Sequence, residues 1–348
     1  MSSLSLPDTL PGPRRPSPSS VPSLRWGVLG TGWIASRFVA SLQASTSQQV
    51  AAVGSRTQAS AEAFAAAAGI ERAHGSADAL VGDPDVDVVY IATPHHLHRS
   101  GALLAVDAGK HVLVEKPIGV NAVEAQEISA AALAAGVFCM EAMWTLFLPR
   151  LDVVRQVLGA GLLGDVRTVL ADHGEHFDPP HRILDPAVAG GSLLDLGTYV
   201  TTLATWALGP ATRVQASGEM TATGVNGQAA MLLTHAGDAT SVLHSTLLTR
   251  TPTSGTIAGT EATLTLPGPF FMPGDVVVTS ADGSRCVTWT DPEPIGHGAL
   301  FHSALEVARC IGEGRLESPL HPATSVQANL RVLDEVTRQL GITCSPTA

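Results

Sequence analysis

The stretch that most narrows the fold is Gly30-Thr31-Gly32-Trp33-Ile34-Ala35, directly after an apolar run over residues 24–29. Gly30 permits a tight turn, Gly32 lets a ligand approach the backbone, and Ala35 allows a helix to pack closely on the preceding strand. A helix opening there presents free N–H groups to an anion, so the turn reads as a pyrophosphate cradle for a dinucleotide. G-x-G-x-x-A alone also describes an ordinary flexible turn. The strand before it and the helix after it give it weight.

Short apolar runs continue at 50–53, 86–92, 112–114 and 137–139, with Ala-rich helical stretches at 34–42, 59–68, 97–108 and 123–135. The runs are brief and β-branched, as parallel strands buried on both faces are. Gly69, Gly109 and Gly136 sit just past three of the helices, where glycine terminates them. After Met143 the texture changes. Helices are expected at 151–158, 192–208, 300–311 and 325–340, and strands at 166–171, 214–217, 229–234, 241–248, 262–266, 276–279 and 286–290, separated by Gly, Pro, Asn and Asp. The expected fold is an α/β Rossmann domain (doubly wound parallel sheet) plus a C-terminal α+β domain with a large mainly antiparallel sheet. The expected boundaries are a disordered Pro/Ser-rich tail at 1–22, a nucleotide-binding domain at 23–143, a substrate-binding and oligomerisation domain at 144–342, and a tail at 343–348.

The net charge of −11 disfavours a nucleic-acid partner. No apolar run approaches a membrane span. Cys139, Cys286, Cys310 and Cys344 are scattered without C-x-x-C spacing, which suits reduced thiols. Arg14-Arg15 is followed by Pro-Ser-Pro-Ser-Ser rather than an apolar stretch, so it is not read as an export signal, and a cytoplasmic location is expected.

NAD-preferring folds end the second strand with a carboxylate for the ribose 2′-hydroxyl. Here the chain reads Gly54-Ser55-Arg56-Thr57. Arg56 can pair with a 2′-phosphate, and Ser55 and Thr57 can donate hydrogen bonds, so NADP(H) is the expected cofactor; otherwise Arg56 is an ordinary surface charge. Of 20 Lys+Arg, only Lys110 and Lys116 are lysines. Lys116, in Val114-Glu115-Lys116-Pro117, ends a strand on the edge where ligands of such sheets collect, and a lysine can exchange a proton there. Lys110 reads as a solvated charge at a helix end. Farther on, Asp195 and Tyr199 stand four apart, on one helical face. The plainer alternative is a packed tyrosine beside an exposed aspartate.

The chain resembles the glucose–fructose oxidoreductase/inositol dehydrogenase (Gfo/Idh/MocA) family over about residues 24–342, and within it the branch of dimeric dihydrodiol and NADP-dependent sugar dehydrogenases. The likeness rests on the Gly30–Ala35 turn, Ala108-Gly109-Lys110-His111 leading to Glu115-Lys116-Pro117, Glu141-Ala142-Met143-Trp144-Thr145, the 190–199 segment and Glu317-Ser318-Pro319. It implies hydride transfer between NADP(H) and a sugar, aldose or vicinal diol, or the matching carbonyl compound. Lys116 and Tyr199 would be the catalytic pair and Asp195 their support. Gly30, Thr31, Gly32, Trp33, Ile34, Ser55, Arg56, Thr57, Thr93, Pro94, His95, His98, Glu115, Lys116 and Trp144 would line the cofactor. The resemblance also implies a homodimer formed through the C-terminal sheet. Relatives commonly read Trp-Thr-Arg-Phe where this chain has Trp144-Thr145-Leu146-Phe147, which bears on the substrate rather than on the hydride chemistry. In the cluster His95, His96 and His98, His95 and His98 are read as cofactor-side residues, and His173, His176 and His181 as lining the sugar pocket, with no metal expected at either group. The competing reading is a catalytically silent NADP-binding regulator on the same fold.

Overall fold

The structure, a computed structural model, describes residues 6–292 and 296–342. The expected tail at 343–348 lies outside them. Two compact units emerge: residues 16–147 with 296–326, and residues 6–15, 148–292 and 327–342.

The first unit holds six parallel strands: β1 Arg25–Leu29, β2 Gln49–Gly54, β3 Arg72–His74, β4 Val88–Ile91, β5 His111–Glu115 and β6 Cys139–Ala142, in the order β3-β2-β1-β4-β5-β6. Helices α1 Trp33–Ser45, α2 Gln58–Ala68, α3 Ala77–Val81, α4 His98–Asp107 and α5 Ala122–Ala135 follow strands β1 to β5 in turn. Val88, Val89, Ile91, Val112, Leu113 and Val114 are fully buried, as their uninterrupted apolar runs require. Gly69, Gly109 and Gly136 take positive φ beyond α2, α4 and α5. Strand β3 and helix α3 escape the sequence pattern because neither spans enough residues to show a period.

In the second unit, helices α6 Pro149–Gly159 and α7 Thr198–Leu208 accompany an eight-stranded sheet. Its strands are β7 Val166–Gly174, β8 Ala211–Met220, β9 Asn226–His235, β10 Thr240–Thr246, β11 Gly255–Gly259, β12 Ala262–Leu266, β13 Val276–Ser280 and β14 Cys286–Trp289, in the order β14-β13-β12-β11-β7-β10-β9-β8. Only β7 and β10 pair in parallel. One face is buried through Val169, Met231, Leu233, Leu243, Ile257 and Leu264; on the other, Leu170, Leu232 and Val242 are exposed. Strand β11, bracketed by glycines, gives little sequence signal. Its Gly255 packs closely on α7: a Cβ there would lie 2.7 Å from a terminal methyl of Leu203, which would have to shift.

Two boundary expectations need correction. Residues 6–15 are not a loose tail: Leu6 and Leu10 are buried, Gln156 of α6 donates to the Gly12 carbonyl, and the Arg14 backbone N–H and guanidinium bind Asp152. Spaced leucines in a proline-stiffened segment bury apolar area at a small entropy cost. The second correction concerns helix α8, Phe301–Gly312, which joins the first unit. Ser41 of α1 donates to the Gly298 carbonyl and accepts from the Phe301 N–H, and the Cys139 N–H donates to Leu316. The apolar stripe of α8 announces a helix in the sequence without saying which sheet it covers. The last helix, α9 Ala323–Gln339, ends with Gln339 bonded to backbone groups of Val214 and Ala216 on β8.

Candidate active site

Strand order reverses at β1, which has β2 on one side and β4 on the other, and ligands of open parallel sheets collect beyond such a reversal. There the chain turns at Gly30, whose φ is 116°. A Cβ on Gly30 would lie 2.5 Å from the Ala92 carbonyl oxygen, so only glycine lets the turn lie against the end of β4. Thr57, Ser76 and Asn121 cap α2, α3 and α5 with their side chains, whereas α1 starts after Gly32 with no side-chain cap. The first-turn N–H groups of α1 therefore remain for an outside acceptor. A Cβ on Gly32 would meet no atom within 4 Å, so this face is open. Uncapped amides beside a side-chain-free surface fit a pyrophosphate. Ile34 is half-buried.

Beside this turn, the Thr31 and Ser55 hydroxyls are 3.4 Å apart. Arg56 is exposed between β2 and α2. Thr57 is occupied in capping α2: its hydroxyl accepts from the Ser60 N–H at 3.2 Å and donates to the Ser60 hydroxyl at 2.8 Å.

Thr93, Pro94 and His95 continue from β4, and Glu115 and Lys116 stand at the end of β5, on the same edge as the Gly30 turn. Glu115 accepts from the Tyr90 hydroxyl at 2.5 Å and from the Lys116 N–H at 3.1 Å, which fixes the backbone at Lys116. The His98 ring ties the two strand ends together, with Nε2 2.8 Å from the Thr93 carbonyl and Nδ1 2.7 Å from that of Pro117. Carbonyl oxygens only accept, so the ring satisfies both only with a proton on each nitrogen. His95 is buried edge-on to His98, with ring centroids 5.6 Å apart.

Trp144 lies in a 3₁₀ turn, Trp144–Phe147, stacked on His297 at 5.4 Å; Trp33 meets the same imidazole edge-on at 4.8 Å. His297 is missing from the sequence expectations, and its position between two glycines, 153 residues after Trp144, gives no local signal. Glu141 carries no role in the sequence expectations beyond its place in Glu141-Ala142-Met143-Trp144-Thr145. It accepts from the Ile118 N–H at 2.9 Å and bonds His321 Nε2 at 2.7 Å, and both side chains are buried, so it holds the loop that follows Lys116. Lys110 is not a solvated charge, since its ammonium donates to the carbonyls of Asp83 and Val86.

In the second unit, residues 193–197 form a π-helical turn that runs into α7. This wider coil departs from the α-helical face expected for Asp195 and Tyr199, and such turns recur at functional sites. Asp195 is buried and accepts from Arg182 at 3.1 Å. Tyr199, 6% exposed, packs against His173 and Phe271, with centroids at 5.5 and 4.8 Å. His176 bonds Asp178 at the surface, and the His181 ring accepts from the Ile183 N–H. Among the described residues, no group of three or more His, Cys, Asp or Glu is arranged to hold a metal ion. Burial pushes the thiols of Cys139 and Cys310 up to about 12, so neither is an activated nucleophile.

An uncapped helix beyond a glycine turn, at the reversal of a six-stranded parallel sheet, defines a dinucleotide-binding Rossmann fold. Residues 24–143 match the oxidoreductase family, NAD-binding Rossmann fold, and residues 152–265 match the GFO/IDH/MocA C-terminal domain. The chain belongs to the Gfo/Idh/MocA family. It is 35% identical to trans-1,2-dihydrobenzene-1,2-diol dehydrogenase of Bos taurus, covering 92% of this chain and 98% of the bovine one. Among solved structures it resembles a 3-ketoreductase from Actinomadura kijaniata in complex with NADP and TDP-benzene, with a TM-score of 0.80 and 26% identity over 92% of this chain and 98% of the other. That reductase has also been solved with a tyrosine changed to phenylalanine and with a lysine changed to alanine. It likewise resembles an aldose-aldose oxidoreductase from Caulobacter crescentus, with a TM-score of 0.81 and 26% identity over 91% of this chain and 97% of the other. The chain is a dehydrogenase acting on CH–OH groups.

Proposed function

We propose that this protein is a cytoplasmic NADP(H)-dependent oxidoreductase for a sugar, aldose or vicinal diol, or the corresponding carbonyl compound, with Lys116 and Tyr199 as the proton-transfer pair. The observation that carries this reading is Lys116 at the end of β5, on the edge that bears the uncapped α1 terminus. When bound, the nicotinamide supplies or accepts the hydride. Gly30–Ile34 would hold the pyrophosphate, Ser55 and Arg56 the 2′-phosphate, and Thr93–His98 and Trp144 the ribose and nicotinamide. Tyr199 gives its phenolic proton to the carbonyl oxygen as negative charge grows there, and Lys116 stabilises the oxyanion and the tyrosinate. In oxidation the same groups take the alcohol proton. Asp195, held by Arg182, supports the tyrosine's end of the site.

The proposed assembly is a homodimer through the open sheet face. Leu232, Val242 and Leu170 lie side by side on β9, β10 and β7, each 43–52% exposed. Larger exposed apolar patches of this kind mark protein interfaces.

The test is loss of NADPH absorbance with a panel of sugars and dicarbonyls. Wild-type turnover is expected, with kcat reduced about 10²–10⁴-fold in Tyr199→Phe and in Lys116→Met and NADPH binding largely kept. Near-normal turnover in either variant sinks the pair. Tight NADPH binding with no turnover on any compound points instead to a silent regulator.

A further inference from the structure

His173 sits near the end of β7 and is 1% exposed. Three neighbours fix its ring. Phe271 stacks on it at 4.6 Å and 24°, Tyr199 tilts against it at 5.5 Å, and Glu175 Oε1 lies 2.9 Å from Nε2. A carboxylate accepts, so Nε2 carries the proton and Nδ1 presents a lone pair. Nδ1 is buried and, among the described residues, makes no hydrogen bond. The surroundings are built to hold this ring still. The preceding residue, Asp172, is clamped by the N–H groups of Thr253 and Ser254 and by the Ser254 hydroxyl. Phe271 belongs to a segment that the fully buried Arg150 guanidinium ties down through the carbonyls of Pro267, Pro269, Phe270, Met272 and Asp275. His173 Nδ1 is one of ten buried side-chain polar atoms without a hydrogen-bond partner among the described residues, and what sets it apart is a rigidly held ring packed directly against Tyr199, where a donor supplied from outside would satisfy it.

We propose that His173 Nδ1 accepts a hydrogen bond from a second substrate hydroxyl, on the carbon next to the reacting centre. His173 is then a specificity residue that selects vicinal diols and α-hydroxy carbonyl compounds over simple alcohols and ketones. This rests on Tyr199 being the group that meets the reacting oxygen. Tyr199 and His173 pack against each other, so two polar tips on touching rings serve two oxygens on adjacent carbons. A site built to bond a hydroxyl discriminates against the analogue lacking it, because the acceptor is then left buried and alone.

The test compares trans-1,2-cyclohexanediol with cyclohexanol, both by NADP+-dependent turnover and by calorimetric titration into protein saturated with NADP+. Wild type is expected to favour the diol about tenfold or more. His173→Phe keeps an aromatic ring in the stack and should lose that preference, turnover and binding of the diol falling much further than those of cyclohexanol. His173→Asn, which restores an oxygen acceptor near Nδ1, should regain part of it. In wild type the ¹⁵N resonance of His173 Nδ1 should move on adding the diol and stay put with cyclohexanol, a readout that needs no variant to fold. No diol preference in wild type, its survival in His173→Phe, or an equal loss for both compounds overturns the proposal. Absence of turnover with an intact, His173-dependent calorimetric preference instead overturns the oxidoreductase reading and leaves the subsite standing.

Discussion

Where a carboxylate would accept from a ribose hydroxyl, the chain carries Arg56, exposed and next to the Gly30 turn. An Arg–phosphate contact should be worth about 1.5–3 kcal/mol, roughly ten- to a hundredfold in affinity. Arg56→Ala is therefore expected to weaken NADPH binding by that factor and NADH binding hardly at all, measured by fluorescence titration; equal losses would remove the basis for NADP preference. At this scale, legibility depended on range. The glycine turn and the strand-end lysine could be read because each depends on a few consecutive residues. Thr57, expected as a phosphate donor, caps α2 in this structure, and a hydroxyl before a helix can serve either purpose, so sequence does not choose. His297 beside Trp144, and His321 beside Glu141, are joined only by the folded chain.

Elements were legible in proportion to their length and period. The long β-branched strands and glycine-ended helices announced themselves, while three-residue β3, five-residue α3 and glycine-bounded β11 did not. Strand β11 illustrates why: it is five residues long, begins and ends in glycine, and so carries little strand propensity of its own. The join between β7 and the approach to β11 depends on Asp172. Burial raises its carboxyl, but hydrogen bonds from the Ser254 N–H and hydroxyl and the Thr253 N–H outweigh this and hold it below the usual range. One of the donors, Thr253, has φ at 55°, a conformation this anchor helps to hold. A depressed carboxyl stabilises the fold above its unfolded-state value and loses that contribution as pH falls through the folded one. Asp172→Ala should therefore lower stability by about 2 kcal/mol at pH 7, where two backbone donors lose their partner. The gap between wild type and variant should narrow below about pH 4. Urea unfolding at both pH values checks this, and a gap that is constant or widens in acid would show that the anion is not what clamps the loop.

At the scale of the whole molecule, the eight-stranded sheet poses a problem that its own unit does not solve. Its buried face packs in the ordinary way, but the other face carries Leu170, Val242 and Leu232 in one row, Val242 between the other two on paired strands. A second copy facing it through a two-fold axis would bury the same row twice and bring like strands together. A stable interface of this kind removes roughly 800 Å² from each partner, far more than three side chains, so the flanking half-exposed threonines Thr256 and Thr265 on β11 and β12 would have to join it. Such a surface tolerates threonine but not charge at its centre. In Val242→Glu, two carboxylates would meet across the axis, each stripped of water and neither paired, a cost of several kcal/mol. Sedimentation velocity at micromolar concentration should then show wild type at twice the chain mass and Val242→Glu at the chain mass, with NADPH binding retained because the Gly30 turn and Arg56 lie in the other unit. A wild-type monomer, or a variant that still sediments as a dimer, would mean that the exposed row serves some purpose other than self-association.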